Sequence, residues 1–522
     1  MRPTTLRTIL TLLGALLGLS ACSSVGPEFH RPTVNLPAAW SQQDAHISGD
    51  PMQQPKWWTL FHDPVLNRLV DRALQENNTL EIAGLRVLEA RAQLGIATGN
   101  RFPQSQAIAG SSSYSSPSGA VKPGPNVWSN SIGLSVSWEL DFWGKYKRAI
   151  EAADAAYLAS IAARHQAIIL LIAQVVDSYL ILRSNEELLA IAKANIAIQQ
   201  RSYHITQTLY RNGQDSELDM QQAKTLLLST KATLPGYELA ITQARNALAV
   251  LLGHAPRTLK LDLTSEHAIP TLPEQIHAAI PADLLRRRPD VARAEQLAKA
   301  QSAAVGVATA NLYPSFSLSG SLAFAAAGTG NAAFTNLFGG NSLTYTAGPS
   351  FVWPFFNYGR IRNAVRVEDA RLQQLLVQYR ETVIQAAREV EDAMAAYNAA
   401  RRQSAIRRQT VVSAKRSNTL SLFRYKEGFS DYQRVLDAQK ALFTQQQALI
   451  QTRVTAARSL VATYLALGGG WQAVDTPLIS EQSRQTMQQR SDWGEMLQRP
   501  AANNSDHQTS KTDQGGDHDG AE

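Results

Sequence analysis

Four segments of the chain alternate between apolar and small polar residues. In one, Ile132, Leu134, Val136 and Trp138 fall on one face and Ser131, Gly133, Ser135 and Ser137 on the other. In a second, Phe316, Leu318, Leu322 and Phe324 oppose Ser315, Ser317, Ser319 and Ser321. In a third, Leu343, Tyr345, Phe351 and Trp353 oppose Thr344, Thr346, Gly348 and Ser350. The segment 105–114 carries the weakest alternation of the four. A period of two predicts strands, because successive side chains leave a strand on opposite faces. Segments of about ten residues with one apolar face and one Ser, Thr or Gly face suit a membrane β-barrel, with lipid outside and water inside. A half-buried soluble sheet shows the same alternation.

The rest of the pattern is helical and decides between these readings. Residues 145–210 and 360–425 lack proline and are poor in glycine. Each run predicts a helix of about 100 Å at 1.5 Å per residue. Shorter helices are expected over 63–100, 216–252, 283–311 and 431–467. Two short helices end to end match one long helix, so they can pack beside it. The apolar run 165–182 is interrupted by Gln174, Asp177 and Ser178, and is too short to span a bilayer. It reads as a packing surface, and the alanines Ala149, Ala152, Ala153, Ala156, Ala159 and Ala163 permit close helix approach.

The chain is written twice. Trp138 to Lys145 matches Trp353 to Arg360, Tyr210-Arg211-Asn212-Gly213 matches Tyr425-Lys426-Glu427-Gly428, and Leu252-Gly253 matches Leu467-Gly468. One offset runs through all of them, so each half reads helix, two strands, long helix, tight turn, helix. The fold class is therefore α+β and internally duplicated, with repeats at 57–256 and 282–471, a connector at 257–281 and a C-terminal segment at 472–522. Four strands per chain cannot close a barrel, and open strand edges are not tolerated in lipid, so the chain must oligomerise. A dimer of eight strands and a trimer of twelve both satisfy that requirement.

The N-terminus changes the picture further. Arg2 and Arg7 precede an apolar stretch of signal-peptide length, which ends in Leu19-Ser20-Ala21-Cys22. Cys22 is the only cysteine, so no intramolecular disulfide can form. The pattern resembles a bacterial lipobox: residues 1–21 are expected to be removed and the Cys22 thiol acylated, with Ser23 favouring the outer membrane. Two or more acyl chains give a lasting anchor. Residues 22–56 are rich in proline and predict an extended tether on the protein surface. The polar stretch 501–522 is expected to be disordered. The net charge of +7 reads as scattered, with no nucleic-acid signature. No Walker, Rossmann or G-x-S-x-G motif is present, and Glu274 with His277 is a lone pair in the connector, so neither an enzyme nor a metal cofactor is expected.

Several stretches resemble the TolC-type outer-membrane efflux proteins, in the lipoprotein branch that works with RND pumps. They are Gly26-Pro27 to Pro32, Trp57-Trp58, Leu284 to Val291 with its three arginines, Ala310 to Pro314, and Val435 to Gln439. Tyr313 stands where the family usually has Phe. The resemblance implies a homotrimer with a twelve-stranded barrel continuous with a long periplasmic α-barrel. It also implies a periplasmic adaptor and an inner-membrane pump as partners, and a duct for small toxic compounds. Protein secretion, metal efflux and a non-porous scaffold are the alternatives. Gly213 and Gly428 are expected at helix C-termini with positive φ, followed by Ser216 and Asp431 as N-caps of a sharp αα-hairpin. By resemblance, Gln433, Asp437 and Lys440, with Arg434 beside them, line the periplasmic constriction. Three copies of Asp437 around an axis attract cations there.

Overall fold

The computed structural model describes residues 24–42, 55–116, 125–256, 258, 269–273 and 287–497. Two helices of 67 residues set its long dimension: α3 (Lys145–Arg211) and α8 (Arg360–Lys426). Neither holds a residue that would break the hydrogen-bond ladder, so each runs about 100 Å. Both start at a left-handed glycine, Gly144 or Gly359, which turns the chain out of a strand. Each long helix has shorter helices along its two halves. Nearer the strands, α1 (Pro64–Glu76) and α2 (Asn78–Gly99) pack on α3, and α6 (Pro289–Ala310) packs between α3 and α8. Farther away, α4 (Glu217–Lys231) and α5 (Leu234–Leu251) pack on α3, and α9 (Tyr432–Ala466) lies between α3 and α8. The wall is four helices wide, with α8 at one edge and α2, α4 and α5 at the other.

Two expected helices are broken. The first is interrupted at Asn77, whose side chain accepts from the Leu80 N–H (2.8 Å) and donates to the Leu251 carbonyl (2.9 Å). The second breaks after Lys231 because Pro235 sits in the first turn of α5, where its missing N–H costs nothing. Helix α10 (Glu481–Arg490) was not expected at all. It rests on α2 through Leu88, Met487 and Leu497, and Ser480 donates to Glu81 (2.6 Å). Its sequence is so polar that periodicity gave no signal.

The strands form one antiparallel sheet in the order β1 (Ser105–Ser115), β2 (Val127–Leu140), β3 (Ser315–Gly328) and β4 (Leu343–Val352). A short helix, α7 (Ala332–Thr335), lies between β3 and β4. The register puts like with like. Ile108 opposes Leu134, Leu134 opposes Leu322, and Leu322 opposes Tyr345. On the other face Ser135 opposes Ser321 and Ser321 opposes Thr346. Hydroxyls bridge this polar face, Ser111 to Ser131 at 2.8 Å and Ser321 to Thr346 at 2.7 Å. A one-residue slip would exchange the two faces, so the alternation itself fixes the register.

The main core lies where the short helices meet the long ones. The apolar run of α3 is buried there, with Ile172, Val176 and Tyr179 against Trp57, Phe61 and Leu66. Trp57 stacks on Tyr464 at 5.4 Å, and Tyr179 donates to Asp63 at 2.5 Å. Arg288 clasps three elements: it donates to Asp290 (2.7 Å), to Glu389 on α8 (2.7 Å) and to the last carbonyl of α9, Ala466 (2.5 Å).

Residues 24–42 form a strap along the wall. The Val25 N–H donates to the Trp143 carbonyl (3.1 Å) just below the sheet. Gly26 follows at φ 99°, so close to Gly306 that a Cβ would lie 2.4 Å from its Cα. Farther on, Arg148 donates to Glu28 (2.5 Å), Arg31 to Glu295 (2.6 Å), and Ser41 to Glu391 (2.6 Å). Val34 and Leu36 pack on Val291, Tyr379 and Val383.

The two faces of the sheet make distinct demands. Val136→Arg is expected to cost roughly 2–4 kcal/mol in a membrane, and Ser135→Arg much less. Urea titration of assembled protein in bilayers checks this, and equal losses would reverse the assignment of faces.

Candidate functional site

The residues singled out from sequence gather at the end of the wall farthest from the sheet. Gly213 and Gly428 hold φ of 69° and 74°. Beyond them Gln214 donates to the Leu209 carbonyl (2.9 Å) and Phe429 to the Arg424 carbonyl (2.8 Å). These bonds close the last turns of α3 and α8 in the same way in both repeats. Ser216 caps α4: its Oγ accepts from the Asp219 N–H (3.1 Å) and donates to the Asp219 carboxylate (2.9 Å). Asp431 stands at the matching N-cap of α9, but its side chain makes no capping bond. It lies 3.8 Å from Arg434 instead, and both side chains are more than three-quarters exposed. The expected pair of caps is therefore one cap and one weak surface pair.

The two turns are joined to each other. The Tyr425 hydroxyl donates to the Asp215 carboxylate, across repeats. Tyr425 meets Tyr432 edge-on at 5.3 Å, and Ala223, Tyr432 and Val435 are buried beneath them. Burial, and then the neighbouring Asp215, hold the Asp219 carboxyl above the usual carboxylate range. Burial, with Asp219 and Asp215 nearby, pushes the Tyr432 phenol up to about 12. Sequence reading missed Asp215 and Tyr425 as a pair, because they are 210 residues apart. The only available signal was that Tyr425 belongs to the repeated tip motif.

Gln433 and Asp437 do share a face: the Gln433 amide donates to the Asp437 carboxylate at 3.1 Å. Arg434 and Asp437 line a groove between α8 and α9, while Lys440 is exposed outside that lining. On the opposite side of α9, buried Gln439 donates to Ser202 of α3 (2.6 Å). Cys22 lies outside the described residues.

A family model described as "Outer membrane efflux protein" matches residues 69–254 and again 280–469, one match per repeat. The chain belongs to the outer membrane efflux protein family. It is 30% identical to the toluene efflux pump outer membrane protein TtgC of Pseudomonas putida, over 93% of this chain and 98% of that one. It is also 30% identical to the cation efflux system protein CusC of Escherichia coli, over 87% of this chain and 97% of that one. Among solved structures, the outer-membrane channel OprN superposes with a TM-score of 0.79 at 32% identity, covering 86% of this chain and all of OprN.

The efflux protein is thus an outer-membrane channel component with a duplicated α+β fold. Its sheet is the membrane part, and its helical wall extends into the periplasm. The polar sheet face and the two tips then sit at opposite ends of one path, and the half-buried soluble sheet is excluded.

Tyr425→Phe removes the hydroxyl that joins the tips. A hydrogen bond to a carboxylate is worth about 1–2 kcal/mol at a partly exposed site. Basal open probability in planar bilayers is expected to rise several-fold, with sheet-dependent assembly unchanged. An unaltered open probability would show that the bond does not restrain the tips.

Proposed function

We propose that three copies of this chain form the passive exit duct of a tripartite efflux system. The open sheet supports this reading most directly. Its outer strands, β1 and β4, need partners, and four strands per chain close only with further copies. An eight-stranded dimer would have an interior that side chains fill, whereas twelve strands leave a channel. The helical wall is also four wide, so twelve helices can continue twelve strands. Exposed apolar residues mark both edges of the wall, such as Val377 and Ile406 on α8 and Ile96 and Leu228 on the other side. These become buried when copies meet edge to edge.

In this reading the tips form the closed periplasmic end, with Asp437 and Gln433 facing the lumen. A periplasmic adaptor engages the tips, and an RND-type pump in the inner membrane supplies the energy. The chain itself catalyses nothing. Acylation of Cys22 adds a lipid anchor beside the barrel. Cargo is small toxic organic compounds; the Pseudomonas putida relative is named for one of them, toluene. Cations, named for the Escherichia coli relative, are the second reading, with metal ions as the expected kind.

Deleting the gene and profiling susceptibility to solvents, drugs and metals tests the cargo. Reconstituted protein that carries no current in planar bilayers would leave only a scaffold. For the anchor, wild-type protein is expected to take up radioactive palmitate. Cys22→Ser behind a cleavable signal is expected to take up none yet still form trimers. Absence of label in the wild type would end the lipidation reading.

A further inference from the structure

The charge surplus is not scattered. Residues 401–440, which form the distal part of α8, the second tip and the start of α9, hold ten Lys and Arg against three Asp and Glu. That stretch alone carries the full net +7 of the chain. The matching stretch of the first repeat, 186–225, holds four basic and five acidic residues. The two hairpins share their backbone, so the basic surplus is not something the fold requires.

Nor is the surplus neutralised among the described residues. Among them, the only carboxylate ion pair made by these ten cations is the exposed contact between Arg434 and Asp431. Arg407 donates to the neutral Gln445 (2.8 Å), and Arg401 lies over the Tyr397 ring at 5.7 Å. Arg416, Arg424 and Arg434 line the same groove as Asp437, a space of about 900 Å³ between α8 and α9. Val412, Leu420 and Ala441 give that groove an apolar lining as well. A guanidinium stays protonated at every accessible pH.

We propose that the groove makes the periplasmic end of the duct an anion-preferring vestibule. Its cargo class is the organic anion: a carboxylate, sulfonate or phosphate on an apolar body. The proposal rests on the reading that Asp437 faces the lumen, since the three arginines share its groove. In a trimer, nine guanidiniums then face three carboxylates. Asp437 still attracts cations, but it is outnumbered. A constriction with low-dielectric walls focuses such a field, and one narrower than the Debye length of about 8 Å is poorly screened. The arginines attract the anionic group while the apolar lining receives the organic body.

The test is reversal potential in planar bilayers under a potassium chloride gradient, on the full-length trimer. Wild-type channels are expected to favour chloride. R416Q/R424Q is expected to shift the permeability ratio at least two-fold towards potassium, and D437N to shift it further towards chloride. R424Q alone serves if the double variant fails to assemble. A potassium-selective wild type, or a ratio unmoved by loss of the arginines, overturns the proposal. The lumenal reading is tested separately with A441C and a charged methanethiosulfonate reagent. Modification that changes conductance places the groove on the ion path. An open channel left unchanged shows that this face is not lumenal, and both readings fall together. In cells, R416Q/R424Q is expected to lower resistance to an anionic detergent several-fold while leaving resistance to a quaternary ammonium dye intact. Equal losses for both would overturn the cargo class.

Discussion

Backbone hydrogen bonding in lipid governs the molecule. Within one chain β1 and β4 are the outer strands of the sheet, so each presents a row of N–H and C=O groups to its surroundings. In hydrocarbon every unpaired group costs several kcal/mol. The only relief is another copy of the same edge pair, set beside it in register. That demand fixes more than the stoichiometry of the barrel. The sheet passes directly into α3 and α8 through Gly144 and Gly359, so the symmetry that closes the strands is imposed on the helices. The helical wall answers with the same width and with apolar residues along both of its edges.

Duplication supplies the geometry, and divergence supplies the chemistry. The glycines that turn the chain recur with nearly equal φ: 72° and 81° before the long helices, 69° and 74° at the tips, 74° and 70° after the returning helices. The side chains around them recur only in part. Ser216 caps its helix and Asp431 does not. The bond between tips runs from Tyr425 of one repeat to Asp215 of the other. The phenol recurs, as Tyr210 in the first repeat, but the carboxylate does not: Ser430 stands where Asp215 would repeat, so the bond can form in one direction only.

What could be read from the sequence followed from strong periodicities. Strand faces were visible because one side is nearly all Ser, Thr or Gly. The long helices were visible because nothing interrupts them, and their ends match the structure to within one residue. Polar and distant features were less legible. Helix α10 has almost no apolar period, and Asn77 breaks a helix through a bond to Leu251 that no local signal foretells. The tip glycines were legible because a turn constrains them alone. The tyrosine bond was not, because only the fold brings Asp215 and Tyr425 together. In the sequence the motif around Arg288 carries only a family likeness; its meaning is mechanical, because one guanidinium joins α6, α8 and α9.

The strap has a consequence for the anchor. Val25 is fixed to the Trp143 carbonyl at the base of the sheet, and Gly26 is pressed against Gly306 immediately after it. Only Ser23 and Ser24 separate Cys22 from that fixed point. Three residue steps reach at most about 10 Å. An acyl group added at Cys22 would therefore be a short pin rather than a long leash. Under the proposed acylation it could enter the bilayer only at the rim of its own barrel, and so it would register the height of the channel against the inner leaflet.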